Sequence, residues 1–237
     1  MTAVLLVDGS AAVTELVANA LVERTGWTVD RCATAADVER LVGDREYDLA
    51  IVDLSFTDDV LTGLDALVLL ARLAPATRLT IITQGDDWGG DALRDAWEML
   101  PVATVISKSA PLDHLIAMAE EVLATGMAPA DPAIQPLLPP HRDARRAAAG
   151  FGSLVRSADQ ARLWTALICA GVDASYRGVA LASGMSFDTT KAVRSQLLAP
   201  MRLRGLDDPS PEEMQELARR SRPFLEPFLP PGVGAGT

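Results

Sequence analysis

Short apolar runs alternate with amphipathic stretches through the first 125 residues, and that alternation limits the fold more than any other feature of the chain. Val4–Val7, Thr28–Cys32, Leu49–Val52, Leu79–Thr83 and Val102–Ile106 read as five buried strands. Val13–Arg24, Ala36–Val42, Leu64–Leu73, Gly90–Leu100 and Leu112–Ala124 have the spacing of helices between them. Strand–helix alternation of this kind predicts an α/β fold, a doubly wound five-stranded parallel sheet with helices on both faces. Near-continuous apolar strands fit a sheet buried on both sides. In such sheets, sites form beyond the carboxyl ends of the strands.

The pattern changes after residue 126. Pro129, Pro132, Pro136, Pro139 and Pro140 rule out a long helix, and residues 127–149 read as a semi-rigid linker in which Arg142–Ala149 resumes as helix. Residues 150–237 are then wholly helical. "SADQ" at Ser157–Gln160 and "SPEE" at Ser210–Glu213 have capping-box spacing, and the tail "PFLEPFLPPGVGAGT" reads as frayed, or pinned only by its Phe and Leu residues. The expected domains are therefore 1–126, a linker at 127–149, and 150–237. Charge follows the same division. Residues 1–128 carry 21 acidic and 8 basic side chains, a net charge of −13, whereas residues 150–237 carry 9 and 10, a net charge of +1. That balance excludes a strongly basic nucleic-acid binder, so any phosphate contact has to come from a local patch. No run reaches the length of a membrane span and no signal peptide is visible, so no membrane partner and a cytoplasmic location are expected. The two cysteines, Cys32 and Cys169, read as reduced core residues.

Four residues fall at strand ends. Asp8 follows the first strand in "AVLLVDGS", Asp53 ends the third in "LAIVDLS", Thr83 ends the fourth in "TIITQG", and Lys108 follows the fifth in "TVISKSAPLDHL". Lys108 and Lys191 are the only lysines. A carboxylate that attacks a phosphoryl group, beside a hydroxyl and an ammonium that offset charge on the transferred oxygens, makes one chemical unit. On these residues, 1–125 resemble the receiver domain of bacterial response regulators, which has a flavodoxin-like sheet. The resemblance implies that Asp53 is the phosphoacceptor, Thr83 the switch hydroxyl and Lys108 the phosphate-pairing lysine. Asp8 matches the first of two consecutive acids that bind Mg²⁺. The chain departs from the pattern at Gly9, which replaces the second acid. It also departs at Val105 in place of the switch aromatic, at Ser109 in place of a proline, at Gln84 in place of a small residue, and in the long loop "LSFTDDVLTG". Asp8 and Asp53, with the Ser55 carbonyl, leave at most a weak metal site, because affinity follows ligand charge. Asp58, Asp59, Asp86 and Asp87 are loop acids that stand as candidate replacements. With neither His114 nor His141 near the strand ends as a general base, no enzymatic activity is expected.

"YRGVALASGMSFDTTKAVRSQL" places a short helix, a glycine turn and a second helix over Tyr176–Leu197, the helix-turn-helix pattern. Thr190, Lys191, Arg194 and Gln196 are polar positions of the second helix able to reach phosphates and base edges, Pro200 is expected to interrupt its end, and Trp164 and Phe187 read as core. The order is similar to the LuxR/NarL-type output domain on Ala180–Ser186 and, loosely, on "RLRGL" at Arg202–Leu206. Together the two resemblances imply a DNA-binding transcriptional regulator of atypical response-regulator type that is phosphorylated weakly or not at all. Its partners would be double-stranded DNA, a second copy docked through the fourth and fifth receiver elements, and a sensor kinase or a small-molecule ligand. The alternative is a regulator whose helical domain binds protein and not DNA.

Overall fold

Five strands, β1 (Ala3–Val7), β2 (Thr28–Cys32), β3 (Leu49–Asp53), β4 (Arg78–Thr83) and β5 (Val102–Ser107), pair in parallel in the order β2-β1-β3-β4-β5. They belong to the first of the two units into which the computed structural model divides the chain, Met1–Asp143 and Ala144–Thr237; residues 1–54, 63–84, 90–169 and 171–230 are described. Helices α1 (Ala11–Thr25), α2 (Ala35–Asp44), α3 (Gly63–Leu73), α4 (Gly90–Met99) and α5 (Leu112–Thr125) alternate with the strands as the sequence predicts. From β1 the chain steps outward to β2 and then reverses to β3, β4 and β5. Right-handed crossovers therefore put α1 and α5 on one face and α2, α3 and α4 on the other. Val4, Leu6, Ile51, Ile82 and Ile106 pack with Val17 and Leu21 of α1 and with Leu115, Ala119 and Val122 of α5. Every residue of β1, β3 and β5 is buried, as a sheet covered on both faces requires.

The proline-rich stretch is not a free linker. Residues 128–142 lie along β5 as a strap. The amides of Ala128 and Asp131 donate to the carbonyls of Ala103 (3.2 Å) and Val105 (2.8 Å). Thr104 Oγ1 donates to the Pro129 carbonyl at 2.9 Å, and the Arg142 guanidinium donates to the Val102 carbonyl at 2.6 Å while stacking 3.5 Å above the Trp97 ring of α4. Ala103 is the extra residue at a register irregularity between β4 and β5. An edge strand exposes unpaired backbone groups, and covering it satisfies them. The chain divides after Asp143, inside the stretch 127–149 expected as a linker. The β5 edge, part of the face expected to carry dimerisation, is bonded by the chain itself, and Trp97 of α4 is stacked by Arg142.

The second unit contains α6 (Ala144–Leu154), α7 (Ala158–Ile168), α8 (Tyr176–Ser183), α9 (Phe187–Arg202), α10 (Pro211–Arg220) and α11 (Arg222–Leu225). Its core gathers Phe151, Leu163, Trp164, Leu197, Leu217 and Leu225. Trp164 is fully buried and its indole N–H donates to the Leu154 carbonyl at 2.8 Å. Ser210 and Glu213 form the expected capping box. Of the tail's described residues, Phe224 packs on Phe151 with ring centroids 5.5 Å apart and Leu229 is buried, the pinning by Phe and Leu that was one of the two expectations; residues 231–237 lie outside the described residues.

Candidate functional site

Strand register assembles the acid pocket. Val7 pairs with Val52, which sets Asp8 beside Asp53; Thr83 pairs with Ser107, which brings Lys108 to the same corner. This corner is the switch point where the chain leaves β1 in opposite directions, the place where doubly wound sheets bind ligands. Asp8, Asp53 and Thr83 are all buried. The Lys108 ammonium donates to Asp53 Oδ2 at 2.6 Å and lies 3.2 Å from Asp8 Oδ2, while its amide donates to the Thr83 carbonyl at 2.8 Å. Burial disfavours the ammonium, but the hydrogen bond to Asp53 and the charges of Asp53 and Asp8 outweigh it, so the Lys108 pKa is raised. Asp8 Oδ1 is taken by the Ser10 amide at 2.7 Å, a local turn that uses the carboxylate as an acceptor.

Mg²⁺ asks for an octahedron of oxygen ligands. Asp8 and Asp53 offer theirs to an internal ammonium, Gly9 offers no side chain, and among the described residues no group of three or more His, Cys, Asp or Glu could hold a metal. The described residues thus offer two carboxylates and no third acid. Ser55, Asp58, Asp59, Asp86 and Asp87 lie outside the described residues. Gln84 is exposed and Val105 is fully buried within β5.

Two residues of this corner escape a motif-based reading. A Cβ at Gly63 would sit 1.9 Å from the Asp53 carbonyl oxygen and 2.8 Å from Leu54 Cα, so only glycine lets α3 start against the end of β3. Its signal was a glycine opening an apolar helical run ten residues after the strand-end acid. The other is Asp131, buried in the strap, whose Oδ2 accepts the Ser107 amide at 3.4 Å and lies 3.4 Å from His114 Nε2. His114 therefore has the partner that its spacing in sequence did not reveal.

Over the stretch read as a helix-turn-helix, α8, a turn at Gly184 and α9 follow one another. Gly184 adopts φ 66°, which closes α8, and the Ser186 hydroxyl accepts the Thr189 amide to start α9. At Gly178 a Cβ would lie 2.2 Å from the Asp173 carbonyl oxygen, so glycine is required where α8 meets the preceding turn. Of the expected DNA contacts, Lys191 and Gln196 are exposed. Thr190 is not available: it is 1% exposed, and its hydroxyl donates to the Ser186 carbonyl. It shares a stripe with Val193, Leu197 and Met201, all buried. Arg194 is engaged by the loop after α9. Its Nε donates to the Pro209 carbonyl at 2.7 Å, and its side chain pairs with Asp208 at 2.6 Å. Phe187 is not core: it is 41% exposed, with the Lys191 ammonium 4.5 Å from its ring centroid. Pro200 does not end α9, which runs to Arg202; so near the end of the helix it removes a single amide donor. Cys169 is exposed, and only Cys32 is a buried thiol.

No protein-family model matches the sequence, and no curated protein matches it. Solved structures do. One is a two-component response regulator of the LuxR family from Aurantimonas sp. SI85-9A1, at 25% identity and TM-score 0.50 over 57% of this chain and 94% of that one. The first unit has the response-regulator receiver fold. A CheY-like receiver domain protein from Methanospirillum hungatei JF-1 is similar at 19% identity and TM-score 0.46, over 52% of this chain and 94% of that one. The receiver domain of NtrX from Brucella abortus is similar at 24% identity and TM-score 0.46, over 52% and 98%. Among the described residues, no helix is long and apolar enough to cross a membrane.

Proposed function

We propose that this chain is a transcriptional regulator of response-regulator type, with a receiver unit whose acid pocket is held by its own lysine and an output unit that binds duplex DNA through α9. The observation that carries this reading is the capped α8–Gly184–α9 arrangement in a chain whose first unit is a receiver. The LuxR-family neighbour supports the pairing. The contacts differ from those expected on sequence. Lys191 supplies a phosphate contact and Gln196, also exposed, faces base edges, whereas Thr190 and Arg194 build the helix and its loop and the Ser195 hydroxyl donates to the Lys191 carbonyl. A DNA-capture experiment on genomic fragments, followed by fluorescence anisotropy at several salt concentrations, tests this. Lys191→Ala is expected to weaken all duplexes alike and reduce the salt slope by about 1; absence of any duplex binding by the whole chain refutes it. A protein partner is the second reading, favoured by Leu181 and Leu203, which are 86% and 87% exposed on the same unit.

In the receiver, Asp53 is proposed to accept phosphate poorly. A phosphoryl group arriving there meets two carboxylates, offset by one ammonium that already bridges them. Incubation with acetyl phosphate and Mg²⁺, read by intact mass, is expected to leave the wild type unmodified. The Gly9→Asp variant is expected to bind Mg²⁺ more tightly. Stoichiometric phosphorylation of wild-type Asp53 overturns this part of the proposal.

A further inference from the structure

The strap is held on β5 by few bonds, and one of them sits next to the acid pocket. Pro129, Pro132, Pro136, Pro139 and Pro140 have no amide to donate, so the stretch cannot form a full ladder. Where the strap crosses α4, Trp97, Met127, Gln135 and Leu138 help to line an open groove of about 430 Å³. Asp131 is the strap residue that reaches the turn beside the acid pocket. It is 6% exposed; its Oδ1 accepts the Ala133 amide at 2.9 Å, its Oδ2 accepts the Ser107 amide, and its own amide donates to Val105.

Ser107 and Lys108 are consecutive. The Ser107 amide is fixed on the strap's buried carboxylate, and the Lys108 ammonium is fixed on Asp53 and Asp8. The Ser109 amide folds back on Ser107 Oγ at 3.2 Å, so the turn between the two anchors is tight. We propose that the strap is coupled to the acid pocket through Asp131, so that a change of charge at Asp53 or Lys108 alters how firmly residues 128–142 hold β5. When Lys108 loses its carboxylate anchors the 107–109 turn relaxes and the Ser107 amide leaves Asp131, whose buried carboxylate then keeps only the Ala133 amide and the His114 ring, 3.4 Å away, a loss that destabilises the strap. The strap then loosens, and since it ends one residue before α6, its release lengthens the connection to the second unit. The coupling is reciprocal. It uses no aromatic switch residue, which agrees with a buried Val105 at that position. It does not depend on α9 binding DNA or on Asp53 accepting phosphate.

Amide hydrogen exchange on the full chain tests the coupling. Lys108→Ala is expected to speed exchange of the Ala128, Asp131 and Ala133 amides at least tenfold beyond any change at the amides that pair β1 with β2, and Asp53→Asn to act in the same direction. Lys108→Arg, which retains the cation, is expected to change the strap amides less than Lys108→Ala. Wild-type rates at the strap in both Lys108→Ala and Asp53→Asn overturn the proposal. Should Lys108→Ala also lose β1–β2 protection, Asp131→Asn decides from the other side. Faster exchange of the Lys108 amide, which donates to Thr83, supports coupling, and an unchanged rate refutes it.

Discussion

Replacing Gly63 by alanine puts a methyl group into the backbone that carries Asp53. The added Cβ would stand 1.9 Å from the Asp53 carbonyl oxygen, where contacts shorter than 3.0 Å are not tolerated, so the end of β3 and the start of α3 have to separate by about 1.1 Å. The colliding atoms are backbone and have no rotamer into which to escape. Overpacking costs about 1–3 kcal/mol, occasionally more, and a rigid neighbour places this case near the top of that range. The gain in helix propensity offsets little, because Gly63 is the first residue of α3 and the full advantage of about 1 kcal/mol belongs to helix interiors. A net loss of about 2–3 kcal/mol is expected. With a urea dependence of about 1–3 kcal/mol per molar, the midpoint should fall by roughly 1–2 M, with exchange of the β1 and β3 amides assigning the transition to the receiver unit. Gly150→Ala is the control. It lies inside α6, its Cβ meets nothing within 4 Å, and it should stabilise the second unit by up to about 1 kcal/mol. A Gly63→Ala protein that unfolds at or above the wild-type midpoint refutes the close-approach argument.

Lys108→Ala leaves Asp8 and Asp53 facing each other without their cation. Removing one partner of a buried pair costs about 3–5 kcal/mol, less here because Lys108 is 19% exposed. Since the lysine pKa is raised above its ordinary 10.5, the stability gap between wild type and variant should hold steady below about that pH and close as pH rises through the folded value, a trend that melting curves across pH 8–12 will show. A thiol reagent should label one cysteine, Cys169, in the native protein and both after denaturation, because burial, aided by Asp37, pushes the Cys32 thiol up to about 12. Arg194→Ala should lower the melting stability of the second unit by about 1–2 kcal/mol by removing its bonds to Pro209 and Asp208, while Gln196→Ala leaves it unchanged.

Much of the receiver was legible because its determinants are local. Continuous apolar runs such as Leu49–Val52 have no stable home except a sheet buried on both faces, and the acids at their ends then fall at the switch point. What was missed depends on contacts distant in sequence. The prolines of 127–140 show that the stretch is not a helix, but not that its few amides meet β5. Asp131 looks like any loop acid until Ser107, 24 residues earlier, is placed beside it. Arg194 looks like a base reader because its partners at Asp208 and Pro209 lie 14 and 15 residues on. Thr190 is different: its spacing to Val193, Leu197 and Met201 marks the inward stripe of α9, so periodicity alone could have excluded it.

The covered β5 edge also fixes how many bonds the sheet can form with other sheets. Among the described residues β2 pairs on one side only and is five residues long, whereas β5 is already engaged. In the language of polymers, the described sheet has one free valence in place of two. A sheet open at both ends is divalent and grows without limit. The strap thus acts as a chain terminator built into the monomer, and a variant that loses it gains the second functionality needed for polymerisation.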